Sequence, residues 1–230
     1  MIGGLASIAV TVVVPASAQT APEEAELRAN TSAVTVVALE VLYQRLTCDP
    51  PPAQIFYFSD LEADDGGWTA DATGFWEHGT FVPGVYQGCD TTPATEPTAA
   101  YSGSNVWATN LDGCYPNSGS TMTISQTFDF SLLLAPIELN WYDWTHVFGS
   151  FDYNTVYVNG TTVYSNTTST VFDWQQRVVD LSAWAGNPSV EIVFEVYATT
   201  VVNRAGWYLD DITIEYCEAV PVELQSFSVE

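Results

Sequence analysis

From Ile55 to Tyr216 the chain is a succession of short β-branched and aromatic runs broken by turn residues, with no long helical periodicity after residue 50. The clearest unit sets Thr155-Val156-Tyr157-Val158 and Thr161-Thr162-Val163-Tyr164 on either side of Asn159-Gly160. Asn-Gly readily takes the positive φ angles of a tight primed turn, so this stretch predicts a β-hairpin. Further strands are predicted at Ile55–Leu61, Phe75–His78, Ala100–Leu111, Ser120–Phe130, Ile137–Phe148, Val171–Leu181, Val190–Ala198 and Gly206–Tyr216. Turn clusters separate them at Pro83-Gly84, Pro116-Asn117-Ser118-Gly119 and Ala185-Gly186-Asn187-Pro188. Many short strands joined by such turns point to an all-β fold, an antiparallel two-sheet sandwich of the jelly-roll kind. Trp107, Trp141, Trp184 and Trp207 then read as packing between the sheets.

With 230 residues, 47% hydrophobic and 13% aromatic, the chain can fill the core that such a sandwich needs. Its charge is one-sided: 28 Asp and Glu against 4 Arg and no Lys, a formal charge of −24. That argues against nucleic acid, whose phosphates need a basic surface. It argues equally against an anionic membrane surface. It favours divalent cations or a salty medium, while most of these carboxylates read as a solvated face.

Ile2–Val14 is uncharged and mostly apolar, and Pro15 and Ala16-Ser17-Ala18 follow it in an A-x-A cleavage pattern. Residues 1–18 therefore read as an export signal, although no Lys or Arg precedes the apolar run. The rival reading is an uncleaved anchor, for which the run is short. Residues 19–52 read as a polar linker followed by a segment open to either a strand or a helix, closed by Pro50-Pro51-Pro52. The mature domain is not expected to insert into a membrane. Cys48, Cys89, Cys114 and Cys217 lack the C-x-x-C spacing of zinc and redox sites. An even count in an exported chain suggests two disulfides. Three connectivities are possible, and the favoured one is Cys48–Cys217 with Cys89–Cys114, the first bracketing the domain.

Two acidic, aromatic segments stand near opposite ends of the domain: Asp60-Leu61-Glu62-Ala63-Asp64-Asp65-Gly66-Gly67-Trp68 and Gly206-Trp207-Tyr208-Leu209-Asp210-Asp211-Ile212. If the first and last strands lie side by side, these carboxylates meet as a cluster of hard oxygens suited to calcium. Between them come Ala100-Tyr101-Ser102-Gly103-Ser104-Asn105-Val106-Trp107, Leu139-Asn140-Trp141-Tyr142-Asp143-Trp144, Phe151-Asp152-Tyr153-Asn154-Thr155, and Val179-Asp180-Leu181-Ser182. In this order the segments resemble the MAM-like jelly-roll domains of bacterial secreted proteins, which include cleaved-adhesin and "choice-of-anchor" domains. More loosely, they resemble jelly-roll carbohydrate-binding modules. The resemblance covers about residues 53–217 and implies a jelly roll with adjacent first and last strands, often with a structural calcium. It carries Glu62 and Asp210 forward as metal ligands, with Asp60, Asp64 and Asp211 of lower rank. The competing reading is that these acids cap turns and face water. Residues 53–218 are taken as the domain, and 219–230 as a tail of Pro-Val-Glu-Leu type leading to a missing anchor or sorting region.

Catalytic signatures are not found. His78 and His146 lie far apart and outside any H-E-x-x-H, and there is no G-x-S-x-G elbow. Asp143, flanked by Trp141 and Trp144, is the best acid for a glycosidase, but reads as an acid on the solvent side of its strand. Sugar binding by aromatic stacking is the stronger option, with Tyr142, Trp144, Tyr153, Tyr157 and Trp174 as candidates. Strand alternation puts Trp141 on one face and Tyr142 and Trp144 on the other. The expected function is a non-catalytic, secreted or cell-surface module of adhesin type. It is calcium-stabilised and binds a glycan or an extracellular protein through its loops. The alternatives are a carbohydrate-binding accessory module of an exported hydrolase, and a jelly-roll glycosidase or lyase.

Overall fold

In the computed structural model residues 54–80, 89, 97–168 and 170–217 are described. The expected export signal, the N-terminal segment with Cys48, and the C-terminal tail lie outside them. Eleven strands run through the described residues: β1 (Gln54–Ser59), β2 (Thr69–Ala70), β3 (Glu77–Thr80), β4 (Asn105–Ala108), β5 (Ser120–Phe128), β6 (Leu134–His146), β7 (Tyr153–Val158), β8 (Thr161–Asn166), β9 (Thr170–Asp180), β10 (Val190–Ala198) and β11 (Gly206–Cys217). One short 3₁₀ turn, Ser182–Trp184, precedes β10. A six-stranded sheet has the order β3-β4-β11-β6-β9, with β1 also on β11, and a five-stranded sheet has the order β2-β5-β10-β7-β8. All pairings are antiparallel, and successive strands cross repeatedly between the sheets, as in a jelly roll.

The period of two is plainest in β10. Val190, Ile192, Phe194, Val196 and Ala198 are buried, while Glu191, Val193, Glu195 and Tyr197 between them face outward. The β7–β8 hairpin turns at Asn159 and Gly160, whose φ angles are +46° and +75°. The stretch expected as one strand over Ala100–Leu111 forms only β4, because residues 100–104 leave the sheet to reach the acidic segments described below. The strand expected at Phe75–His78 forms two residues later, and β2 is too short to leave a periodic signal.

The first and last strands are neighbours. β1 pairs with Ile212–Tyr216 and β4 with Tyr208–Leu209, sharing one edge of β11, while β6 runs along the other. Between the two partners β11 bulges: Asp210 faces Tyr142 and Thr213 faces Asn140, so β11 carries one extra residue. Asp211 takes up that residue with φ of +46°. A carboxylate residue suits this place because a short polar side chain tolerates the left-handed conformation.

The core is aromatic. Phe194 sits with its ring edge-on to Trp68 (5.1 Å), Trp141 (5.4 Å) and Trp207 (5.6 Å), joining both sheets. Trp184 is only partly buried against this cluster. Asp143 corrects an expectation. Alternation places it on the Trp141 side, and it is fully buried rather than solvent-facing. It accepts a bond from Arg177 Nε (3.0 Å) and one from Trp207 Nε1 (3.1 Å). Burial pushes its carboxyl up, and the Arg177 guanidinium opposes that shift. Arg177 belongs to β9, at the end of its sheet. An inward-pointing charge on an edge strand discourages further strands from pairing there.

Phe194→Ala is expected to lower stability by about 3–5 kcal/mol in urea unfolding, through loss of the ring that joins three tryptophans. Val178→Ala, on the exposed face of β9, is expected to stay within about 0.5 kcal/mol of the parent.

Candidate functional site

The acidic ends do meet, through the 100–105 segment. Glu62 Oε1 accepts the backbone N–H groups of Ser104 (2.7 Å) and Asn105 (2.6 Å). These two bonds hold the Glu62 carboxyl below its ordinary range. Asp210 Oδ2 accepts the N–H of Ser102 (3.0 Å), and its Oδ1 accepts that of Asp211 (2.8 Å). Ser102 Oγ donates to Asp211 Oδ1 at 2.8 Å. Gly103 is required for this approach. Its φ is +53°, and an added Cβ would stand 2.3 Å from Glu62 Cδ. The segment thus straps the gap between β1 and β4 on the shared edge of β11.

Electrostatically this clasp is loaded. Burial pushes the Asp210 carboxyl up to about 7; the amides of Ser102 and Asp211 oppose the shift and the neighbouring Asp211 charge adds to it. Asp211 is raised as well, first by burial, with Asp60 and Glu62 adding repulsion. Asp60, Glu62, Asp210 and Asp211 are therefore brought together. Asp64 is placed differently. Asp60, Asp64 and Asp65 each accept an N–H two residues on, from Glu62, Gly66 and Gly67, so all three cap turns in the β1–β2 loop. As a calcium centre the fit is partial. The charge is right, but both Asp210 oxygens already accept amides, and among the described residues no group of three or more His, Cys, Asp or Glu could hold one ion.

The five aromatic candidates divide between two faces. Tyr142, Trp144 and Trp174 lie on the outer side of the six-stranded sheet, where the protein itself uses them. Tyr101 stacks on Tyr142 with centroids 3.5 Å apart. Trp174 Nε1 donates to the Ala99 carbonyl (3.0 Å), and its ring meets Tyr101 edge-on at 6.3 Å. Trp144 is 3% exposed and packs edge-on against Tyr208. It belongs to a small second core with Cys89, Val106, Ala108, Ala205 and Tyr208. The Cys89–Cys114 disulfide forms beside it, with Cα atoms 5.7 Å apart. Of the other expected pair, Cys217 is disulfide-bonded and Cys48 lies outside the described residues. Trp144 thus offers no ring to a ligand, because the 97–105 segment and the disulfide cover that end of the sheet.

Tyr153 and Tyr157 lie on the outer face of the five-stranded sheet, where outward side chains other than Thr155 are exposed or half-buried. Strand register arranges this face as a grid. Ser125, Val193 and Tyr157 form one row, Thr123, Glu195, Thr155 and Ser165 the next, and Thr121, Tyr197 and Tyr153 a third. Tyr153 and Tyr197 stack at 4.9 Å. Tyr157 Oη donates to Glu195 Oε1 at 3.2 Å. Burial raises the Tyr153 and Tyr157 hydroxyls, with the Glu195 charge as the next cause. Tyr197 and Glu195 were missed as site residues. Their outward positions follow from β10 alternation, but their placement beside Tyr153 and Tyr157 depends on a register between strands distant in sequence.

His78 Nε2 donates to the Leu61 carbonyl (2.8 Å), and His146 is buried edge-on to Trp144. No helix among the described residues is long and apolar enough to cross a membrane.

No family model matches the chain. Over 175 residues, 69% of the chain, it is 29% identical to Bacillopeptidase F of Bacillus subtilis (strain 168), and the match spans 10% of that protein. Among solved structures it is similar to TmCBM61 in complex with beta-1,4-galactotriose, with a TM-score of 0.41 and 13% identity over 66% of this chain and 88% of that one. It is similar too to the C-terminal family 22 carbohydrate binding module of Clostridium thermocellum Xyn10B, with a TM-score of 0.43 and 14% identity over 72% of this chain and 95% of that one. Likeness at that level assigns no ligand to this chain, and the sandwich rests on its own strand order.

Asp210 holds its proton more tightly in the folded than in the unfolded chain. Stability therefore falls as pH rises from the ordinary carboxylate value of 3.8 to about 7. Asp143 and Asp211 are shifted the same way. Without added metal, the melting temperature is expected to be higher at about pH 6 than at about pH 8. Asp210→Asn is expected to shrink the difference; an unchanged difference would contradict the assignment.

Proposed function

We propose that this chain is a non-catalytic, exported surface module of MAM-like, adhesin type that binds a glycan. The observation that carries the reading is the tyrosine-lined outer face of the five-stranded sheet. Half-exposed rings among threonine and serine hydroxyls suit pyranose rings, whose faces are apolar and whose edges form hydrogen bonds. The ligand is thus assigned to a sheet face rather than to loops. The runner-up, a carbohydrate-binding accessory module of an exported hydrolase, is supported in its accessory part by the likeness to a tenth of a protein named as a peptidase. The glycosidase reading loses its best acid, since Asp143 is buried and paired with Arg177.

A bound calcium is proposed as an addition to the clasp. Four carboxylates, two of them with raised proton affinity, gather on one edge of β11, and a divalent cation would relieve the repulsion between them. One or two of Glu62, Asp60, Asp210 and Asp211 would hold it, with backbone carbonyls and water supplying most of the shell. Its contribution would be structural, through binding to the folded state alone.

Two measurements check these readings. Affinity on a glycan array is expected to fall by about tenfold or more with Tyr197→Ala or Tyr157→Ala, and to persist in Tyr101→Ala. Absence of any glycan ligand across the array would defeat the reading. Calcium is expected to raise the melting temperature and a chelator to lower it, with Glu62→Ala removing most of the shift. An identical midpoint with and without chelator would remove calcium from the account.

A further inference from the structure

The face that carries the proposed glycan site has a charge character of its own. Its strands β2, β5, β7, β8 and β10 contain no Arg, Lys or His. The two cations among the described residues are engaged elsewhere: Arg177 is turned inward onto Asp143, and Arg204 lies over the Phe148 ring at 5.3 Å. At the centre of the face stands Glu195. It lies opposite Thr155 on β7 and Thr123 on β5. Tyr153 and Tyr157 sit at the two diagonal positions on β7, and Tyr197 follows two residues along β10 on the same side. Three phenol rings therefore surround one carboxylate, and one of them donates a hydrogen bond to it.

Desolvation decides what such an arrangement can bind. A neutral ligand laid over the tyrosines would cover Glu195 and leave its charge without a counter-ion, which is unfavourable. A ligand carrying an ammonium group removes that penalty by pairing with the carboxylate, and gains further from the negative faces of the surrounding rings. Tyr153 and Tyr157 are four residues apart on one strand, roughly 14 Å at about 3.4 Å per residue. That span suits an extended oligomer rather than a single ring. The formal charge of −24 adds long-range attraction for a cationic polymer.

Resting on the glycan reading above, we propose that the ligand is an amino-sugar polymer with free amines, bound through Glu195 within the Tyr153, Tyr157 and Tyr197 rings. The test is calorimetric titration of the full chain with three β-1,4-linked hexamers that differ at one substituent: glucosamine, N-acetylglucosamine and glucose. It is run at physiological salt and at about pH 6, where the amines of the glucosamine hexamer are protonated. The glucosamine hexamer is expected to bind about five- to tenfold more tightly than the other two. Glu195→Gln is expected to erase that preference, and Glu215→Gln, on the other sheet, to retain it. Equal binding of all three hexamers, lost in Tyr197→Ala, would overturn the amine assignment and leave the glycan reading standing. An equal loss in Glu195→Gln and Glu215→Gln would also overturn it, by showing unspecific charge attraction. Binding of none of the three by a folded chain would overturn the assignment; the array would then decide the wider reading separately.

Discussion

The fold depends on how two strands share one edge of β11. β4 pairs with Tyr208 and Leu209 and β1 with Ile212–Tyr216, and neither covers the bulge between them. The gap leaves backbone amides facing two carboxylates, the exposed Glu62 and the buried Asp210, and they satisfy one another. Glu62 and Asp210 accept amides from Ser102, Ser104 and Asn105, and Gly103 gives them room to approach. Charge-assisted bonds of this kind are stronger than neutral ones and fix where the intervening segment lies. One network thus joins the opening strand, the 100–105 segment and the closing strand across the gap on β11.

This closure sets what the outer surfaces can do. Strapping residues 97–105 over the six-stranded sheet covers Tyr142, holds Trp174 and encloses Trp144 with the Cys89–Cys114 disulfide. Aromatic residues there act as packing. On the five-stranded sheet, by contrast, outward positions apart from Thr155 remain half-buried or exposed, and they carry tyrosines, hydroxyls and a central carboxylate. Sequence composition alone does not separate the two groups of rings, since both come from strands of similar pattern.

Much of the architecture was legible from local signals. The Asn159-Gly160 hairpin and the strand over Val190–Ala198 appear as read, because they rest on turn chemistry and on a short β-branched run, while the meeting of the first and last strands is what the family resemblance implied. Asp143 failed for an instructive reason. An acid beside two tryptophans was expected to face water, yet alternation placed it inside, and its partner Arg177 lies 34 residues away on the next strand. The Glu195 environment was invisible for a related reason, since it arises from the register of β5, β7 and β10 together. The 100–104 segment looked like strand, and only the positions of Glu62 and Asp210 explain why it leaves the sheet.

The clasp is tested most directly by amide hydrogen exchange at Ser102, Ser104 and Asn105. These amides lie outside the regular ladder or at its very start, so water should exchange them quickly unless the carboxylates hold them. In the parent protein they are expected to be protected by about a hundredfold or more. Glu62→Ala, which removes the acceptor oxygen, is expected to release Ser104 and Asn105 while the β10 core amides stay protected. Rapid exchange at all three positions in the parent protein would contradict the clasp.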